Sequence, residues 1–300
     1  MRMWKLVVFL SAAFGIGGSP ATLFAAEPIA FMVKFPVGEA DRQTNSVDID
    51  QTVSSDAIPT PQNISIKLSA KTLLKPIKSD ATGSLVEVTY EGVKMSESVA
   101  RVSGELDKAL ATIVGQKITL HFTPAGRVDK VEGVDAIVAK LPAGEQQAAA
   151  KRFLDAEHIK EEYNTPFEQL LPLKPVNIGD AWDTEISLKA SIAEIKVKSH
   201  VKFAGIDERD GHKIARLEFT GTGALQPSAA LTAHQSAVDR LAQNGTAQFD
   251  LTRGWLISES VDQQMKVTTQ LKAPGGKSVS LKIDQTVKSR TTTTPATAGK

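Results

Sequence analysis

The 300-residue chain contains no cysteine. That excludes disulfides, thiolate metal centres, thiol nucleophiles and acylation of a lipobox cysteine. Aromatic residues make up only 5% of the chain, and 35 Lys and Arg nearly balance 34 Asp and Glu. A nucleic-acid surface needs a basic stripe interleaved with stacking aromatics; here Lys and Arg are dispersed among Asp and Glu, so no nucleic-acid partner is expected. The five histidines, His121, His158, His200, His212 and His234, stand far apart, with no H-E-x-x-H spacing. No metal site and no cofactor is expected from them. The serine-hydrolase elbow G-x-S-x-G is missing too. The PGGKS of residues 274–278 has Leu271 where a phosphate loop needs its first glycine, and reads as a turn. Without an acid, base or nucleophile constellation, the chain is expected not to be an enzyme.

Long apolar runs are equally scarce. The first 26 residues place Arg2 and Lys5 before an uncharged stretch broken by Gly15, Gly17, Gly18 and Pro20. This is the layout of a cleaved signal peptide rather than a membrane anchor. The expected location is exported, periplasmic or extracellular, with no transmembrane anchor in the mature chain. Loss of Arg2 and Lys5 turns a formal charge of +1 into −1.

What is present is alternation. SVDIDQTV, NISIKLS, SLVEVTY, KIARLEFTG, QMKVTTQLK and SVSLKIDQTV carry apolar residues at every second position, the pattern of strands with one buried face. Asp210-Gly211, Pro124-Ala125-Gly126 and Pro274-Gly275-Gly276 supply hairpin chemistry, so the strands are expected to be antiparallel. Between residues 185 and 203 the apolar parity changes, from Ile186 and Leu188 to Ile195, Val197, Val201 and Phe203. A bulge near Ala193 and Glu194 would absorb the change and curve the sheet. Asp48 and Asp50 share one strand face opposite Val47 and Ile49, and read as a solvated side rather than an acid–base pair.

Helices are expected after Ser103, ending at Gly115; after Ser228, ending at Asn244-Gly245; and from about residue 145 to 163, with Phe153, Ala156, Ile159 and Tyr163 on its apolar side. Thr165-Pro166 with Glu168 fits a capping box for a further short helix carrying Phe167, Leu170 and Leu171, stopped by Pro172 and Pro175.

The fold class expected is thus α+β, with curved, half-barrel-like antiparallel sheets in two related halves joined by a helical segment. The division is a signal peptide at 1–26, a first β-rich half at 27–140, a helical connector at 141–175, a second β-rich half at 176–290 and a disordered tail at 291–300. The two halves share a Gly-acid-Ala opening and a glycine-closed helix before a hairpin. The pentapeptide Ile-Asp-Gln-Thr-Val also occurs twice, at 49–53 and 283–287, but near the start of one half and the end of the other.

PFEQLLPLKPVNIGDAW, followed by FDLTRGWLISES, resembles a domain-of-unknown-function family of bacterial secreted proteins and lipoproteins. In that family a P-x-LP stretch precedes a Gly-Asp-x-Trp strand start, and a later strand ends in an Asp-x-x-x-Gly hairpin. The matching residues are Pro172, Pro175, Gly179, Asp180, Trp182, Asp250 and Gly254, and the resemblance covers mainly residues 163–267. It implies an envelope or secreted protein and brings no catalytic residues. At the level of architecture the pattern is also similar to periplasmic lipoprotein-carrier half-barrels, whose curved sheets hold acyl chains.

If curved sheets close on the connector, Phe153, Ile159, Tyr163, Phe167 and Leu170 would line a groove for a lipid or other apolar ligand. The alternative is a structural or protein-interaction module whose sheet edges or apolar patches meet an envelope protein.

Overall fold

The computed structural model describes residues 27–56, 58–98, 110–141, 144, 147, 154–190, 193–227, 236–272 and 278–296. Strands β1 (Asp41–Ser55), β2 (Ile58–Asp80), β3 (Gly83–Glu97), β4 (Lys117–Phe122) and β5 (Val128–Glu132) come first. Helices α1 (Val134–Ala139) and α2 (Ala156–Leu170) follow. Then come β6 (Ala181–Ala190), β7 (Ala193–Arg209), β8 (His212–Pro227), β9 (Ser236–Asp250), β10 (Trp255–Lys272) and β11 (Ser278–Pro295). All eleven strands form one open, curved antiparallel sheet in the order β5-β4-β3-β2-β1-β11-β10-β9-β8-β7-β6.

The two sequence halves are therefore two flanks of a single sheet, zipped together where β1 pairs with β11. The repeated pentapeptide lies in that seam. Ile49 faces Val287, Gln51 faces Gln285 and Val53 faces Ile283, so the two copies pair with each other about a local two-fold. In this antiparallel register the repeat opposes Ile to Val and Gln to Gln, so its apolar residues share a face.

Several expectations need correcting. The parity change between residues 185 and 203 comes from a hairpin, not a bulge: β6 and β7 pair from Ala190↔Ala193 to Ala181↔Lys202. Across a two-residue loop, even-numbered residues face odd-numbered ones, and Ile186 meets Val197 on the same side. The expected helix ending at Gly245 is instead β9, hydrogen-bonded to β8 on one side and β10 on the other. Both neighbours would otherwise present open edges in the middle of the sheet, and that outweighs local helix propensity; residues 228–235 lie outside the described residues. Finally, residues 291–295 of the expected tail complete β11, with Thr293 buried. Of the helix expected after Ser103, Leu110 to Ile113 is helical and Gly115, at φ +81°, follows it.

Helix α2 begins later and runs further than expected. Asp155 caps it by accepting the His158 amide, and the helix continues through Pro166. Thr165 is thus interior, not a cap: its hydroxyl donates to the Glu161 carbonyl at 2.7 Å. The helix ties together the two edge strands of the sheet. Buried Asn164 holds β5 by both atoms of its amide, accepting from Val128 N at 2.7 Å and donating to Val128 O at 2.9 Å. At the other edge Thr184 of β6 donates to the Gln169 carbonyl, and the Gln169 side chain reaches Ser199 of β7.

The core fills one end of this rolled sheet. On the first flank Val86, Val88, Ile118, Leu120 and Phe122 pack against Ile137, Val138 and Ile159. On the second, Val201, Phe203, Leu217, Phe219 and Phe249 pack against Leu170. The segment before β1 straps this end shut. Ile29 bridges to Val176, Phe31 lies 5.4 Å from Phe203, and Phe35 lies 5.0 Å from Trp255. Arg253 then fastens the strap, bonding both oxygens of Asp41 as well as Glu39.

Candidate functional site

The sequence motifs that drew attention first turn out to shape the chain. Asp180 accepts from the Asn177 amide at 2.8 Å, while the Gly179 amide donates to the Phe203 carbonyl. Asp250 accepts from the Thr252 and Arg253 amides with one oxygen and from His212 Nδ1 with the other. Gly254 sits at φ +73°, and a Cβ there would come within 2.5 Å of the Met32 carbonyl in the strap. Only glycine allows that approach.

The residues that could have formed a reactive group are dispersed. Asp48 and Asp50 are exposed on the outer face of β1, His121 lies 3.4 Å from Glu132 on β5, and Asp250 is held in its own hairpin. Among the described residues no group of three His, Asp or Glu could hold a metal ion.

The site with ligand-sized space is a cleft between α2 and the central strands. Its inner part, about 250 Å³, lies against Tyr163, Phe167, Trp255 and Leu256, with Asn45 and Val47 of β1 opposite the helix. It opens into a wider part of about 430 Å³ bounded by His158 and Gln169 on α2 and by Gln243, Val261 and Val287 on the sheet. Glu162, Pro166, Glu259 and Ser289 line both parts. A broader depression over β6 to β8 is lined by polar and charged side chains and glycine alone, and gives an apolar chain nothing to rest on.

Of the five residues expected to line a groove, Tyr163 and Phe167 face the cleft. Ile159 and Leu170, 2% and 0% exposed, are instead committed to the two core clusters, and Phe153 lies outside the described residues. The helical period separates them: the α2 side chains that hold the two flanks together cannot also face the opening.

The electrostatics of the cleft were not legible as a motif. Glu259 of β10 has its carboxyl pushed up to about 7 by desolvation. Glu162 on α2 is raised for the same reason, opposed by His158, although water reaches it within the cleft. Burial, reinforced by Tyr90 and Glu162, raises the Tyr163 phenol well above its usual range. One signal for Glu259 was available: it shares the parity of Val261, Met265 and Val267, an acid in the apolar phase of its strand.

Beyond the cleft, the inner face of the sheet continues as a strip of apolar side chains interrupted by Gln51, Gln263 and Gln285. Ile49 and Val53 of β1, Ile283 of β11 and Met265 and Val267 of β10 share the parity of the cleft residues in their own strands. All are half-buried, and Met265 packs against a small buried cluster of Ile186, Val197 and Leu241.

This curved sheet with its packed helix belongs to a protein family of unknown function, DUF6263, whose model matches residues 77–256, more than half of the chain. The chain is a member of that family, and the match contains Gly179, Asp180, Trp182, Asp250 and Gly254. No curated protein matches it in sequence. Among solved structures it is similar to DynF from the dynemicin biosynthesis pathway of Micromonospora chersina, at 9% identity, 92% coverage of each chain and a TM-score of 0.18. A COG4313 outer membrane channel from Pseudomonas putida F1 gives 6% identity, 87% and 97% coverage and 0.19. A DUF1329 family protein from Desulfovibrio piger gives 12%, 82% and 83%, and 0.15. At these TM-scores none of the three bears on fold or function. No helix among the described residues is long and apolar enough to cross a membrane.

Proposed function

We propose that this protein is an exported, non-catalytic binding protein of the cell envelope that holds a molecule with a long apolar chain between α2 and the inner face of its sheet. The observation that carries this reading is the continuity of the cleft with the half-buried apolar strip. The main core ends at Trp255 and Leu256, yet beyond it the same face still carries Val261, Met265 and Val267 of β10 and Ile283 and Val287 of β11, interrupted by Gln263 and Gln285. An apolar surface left in a concavity gains from any chain that covers it, by roughly 25 cal/mol per Å². The signal-like N-terminus supports export. The dispersal of Asp48, Asp50, His121 and Asp250 supports a non-catalytic role. A second reading, a protein-interaction module, draws on the exposed Leu173 and Ile178 in the loop after α2.

The test is native mass spectrometry of the full chain exported in a bacterial host and purified without detergent. Bound mass that extracts into organic solvent, and is lost in Ser289→Trp, which fills the cleft, is the expected result. A ligand-free mass, with no uptake of decyl-chain probes, would remove this reading and leave the interaction module.

A further inference from the structure

We propose that the ligand head recognised in the cleft is a cation, so that the molecule is an alkyl or acyl chain ending in an amine or quaternary ammonium, with Glu162 and Glu259 as its counter-charges. This rests on the reading of the cleft as a ligand site and specifies its chemistry.

The argument begins with missing partners. Several glutamates elsewhere in the fold are paired, Glu87 with Lys117, Glu91 with Arg42, Glu132 with Lys130 and Glu168 with Arg127. Glu162 and Glu259 enter the cleft from its two walls, and neither has an ion-pair or hydrogen-bond partner among the described residues. No lysine or arginine lines either part of the cleft among the described residues. The other titratable groups that face it are His158, Glu161 and Tyr163, all from α2; β1, β9 and β11 contribute none. A carboxylate or phosphate head would meet like charge without a lysine or arginine to offset it. An ammonium would meet two carboxylates in a partly desolvated space, where such attraction is strongest.

Independent features of the same walls agree. Trp255 is only 6% exposed and its indole N–H has no partner; the Asn45 amide oxygen is likewise unpaired. Both residues line the inner cleft. Tyr163, Phe167 and Trp255 also present aromatic surface to the same space, a favourable setting for a cation. The apolar strip then accounts for the tail. From Glu259 to Val267 along β10 is roughly 26 Å at the rise of an antiparallel strand, with Val261, Met265 and Val267 on the inner face.

The experiment is calorimetric titration of the full-length mature protein with decyltrimethylammonium and with decanoate, each below its micellar concentration, at pH 8 and pH 5. The expected result is at least tenfold tighter binding of the ammonium at pH 8, a preference that shrinks at pH 5 as the carboxyls take up protons. Glu162→Gln with Glu259→Gln should abolish the preference without weakening decanoate. Equal or tighter binding of decanoate by the unaltered protein would overturn the cationic head while leaving the cleft reading standing. Binding of neither probe would remove both. Because the two-probe comparison uses the unaltered chain, it does not depend on the variants folding.

Discussion

The two ends of the rolled sheet are built to different rules. At the strapped end the inner face is dry: Phe203, Phe249 and Leu120 are 0% exposed, and the chain before β1 covers them. At the other end β1, β2, β10 and β11 run on with the same alternation, yet no residue of β1 beyond Gln43 or of β10 beyond Leu256 is buried, among those whose side chains are described. The strands are continuous, and the second end is held by their hydrogen bonds and by one small buried cluster of Ile186, Val197 and Leu241, with Met265 against it. Alternation specifies which face is inner; only a partner layer makes that face a core. The cleft lies where the partner layer stops.

The sharpest way to break this comparison is to truncate one side chain at each end. Phe203→Ala empties a fully buried site beside Phe31 and should cost about 3–5 kcal/mol. Ile283→Ala, on the half-covered strip, should cost less than about 1 kcal/mol, because much of that side chain is already in contact with solvent. Urea unfolding of both variants checks this. Equal losses would mean that something covers the strip in solution, and the distinction between the ends would fall.

A smaller effect is expected at the edge that α2 secures. Asn164→Ala leaves the Val128 N–H and C=O without their side-chain partners, at a cost of about 1–3 kcal/mol. Amide exchange at β5 should accelerate while that of β9 stays slow. Uniform acceleration across the sheet would show that α2 holds the whole roll and not one edge.

These features were unequally legible in the sequence. Hairpin chemistry such as Asp210-Gly211 is local: both residues take positive φ, 52° and 79°, and the turn follows from their identity. The parity change after Leu188 was also visible, but a two-residue hairpin and a bulge both reverse parity, and only the pairing of Ala190 with Ala193 separates them. The β1–β11 seam joins residues more than two hundred positions apart, beyond any periodicity; the repeated pentapeptide was its trace, and its position near the start of one half and the end of the other is where the seam pairs it. In the site, Tyr163 and Phe167 were readable because aromatics on an amphipathic helix draw notice. Glu162 and Glu259 were not, because their importance lies in facing each other across a fold without a cation between them.

The finest test asks to which end the cleft belongs, dry or wet. A glutamate in the unfolded chain titrates near 4.5, whereas Glu259 is held at about 7 by desolvation. Between those values the folded protein keeps a proton that the unfolded chain has released, so raising the pH through this window costs stability, and the loss is complete above it. Glu162 and Asp41, both raised chiefly by burial, act in the same direction. The lowered carboxyls of Glu132 and Asp80 act oppositely but below about pH 4.5, outside this window. The melting temperature should therefore fall from pH 5 to pH 8. Glu259→Gln should match the unaltered protein near pH 4.5 and exceed it at pH 8, and decyltrimethylammonium should recover part of the difference only when Glu259 is present. Identical slopes in protein and variant would place Glu259 in bulk-like water, and the cleft would then be an extension of the open end and not the rim of the core.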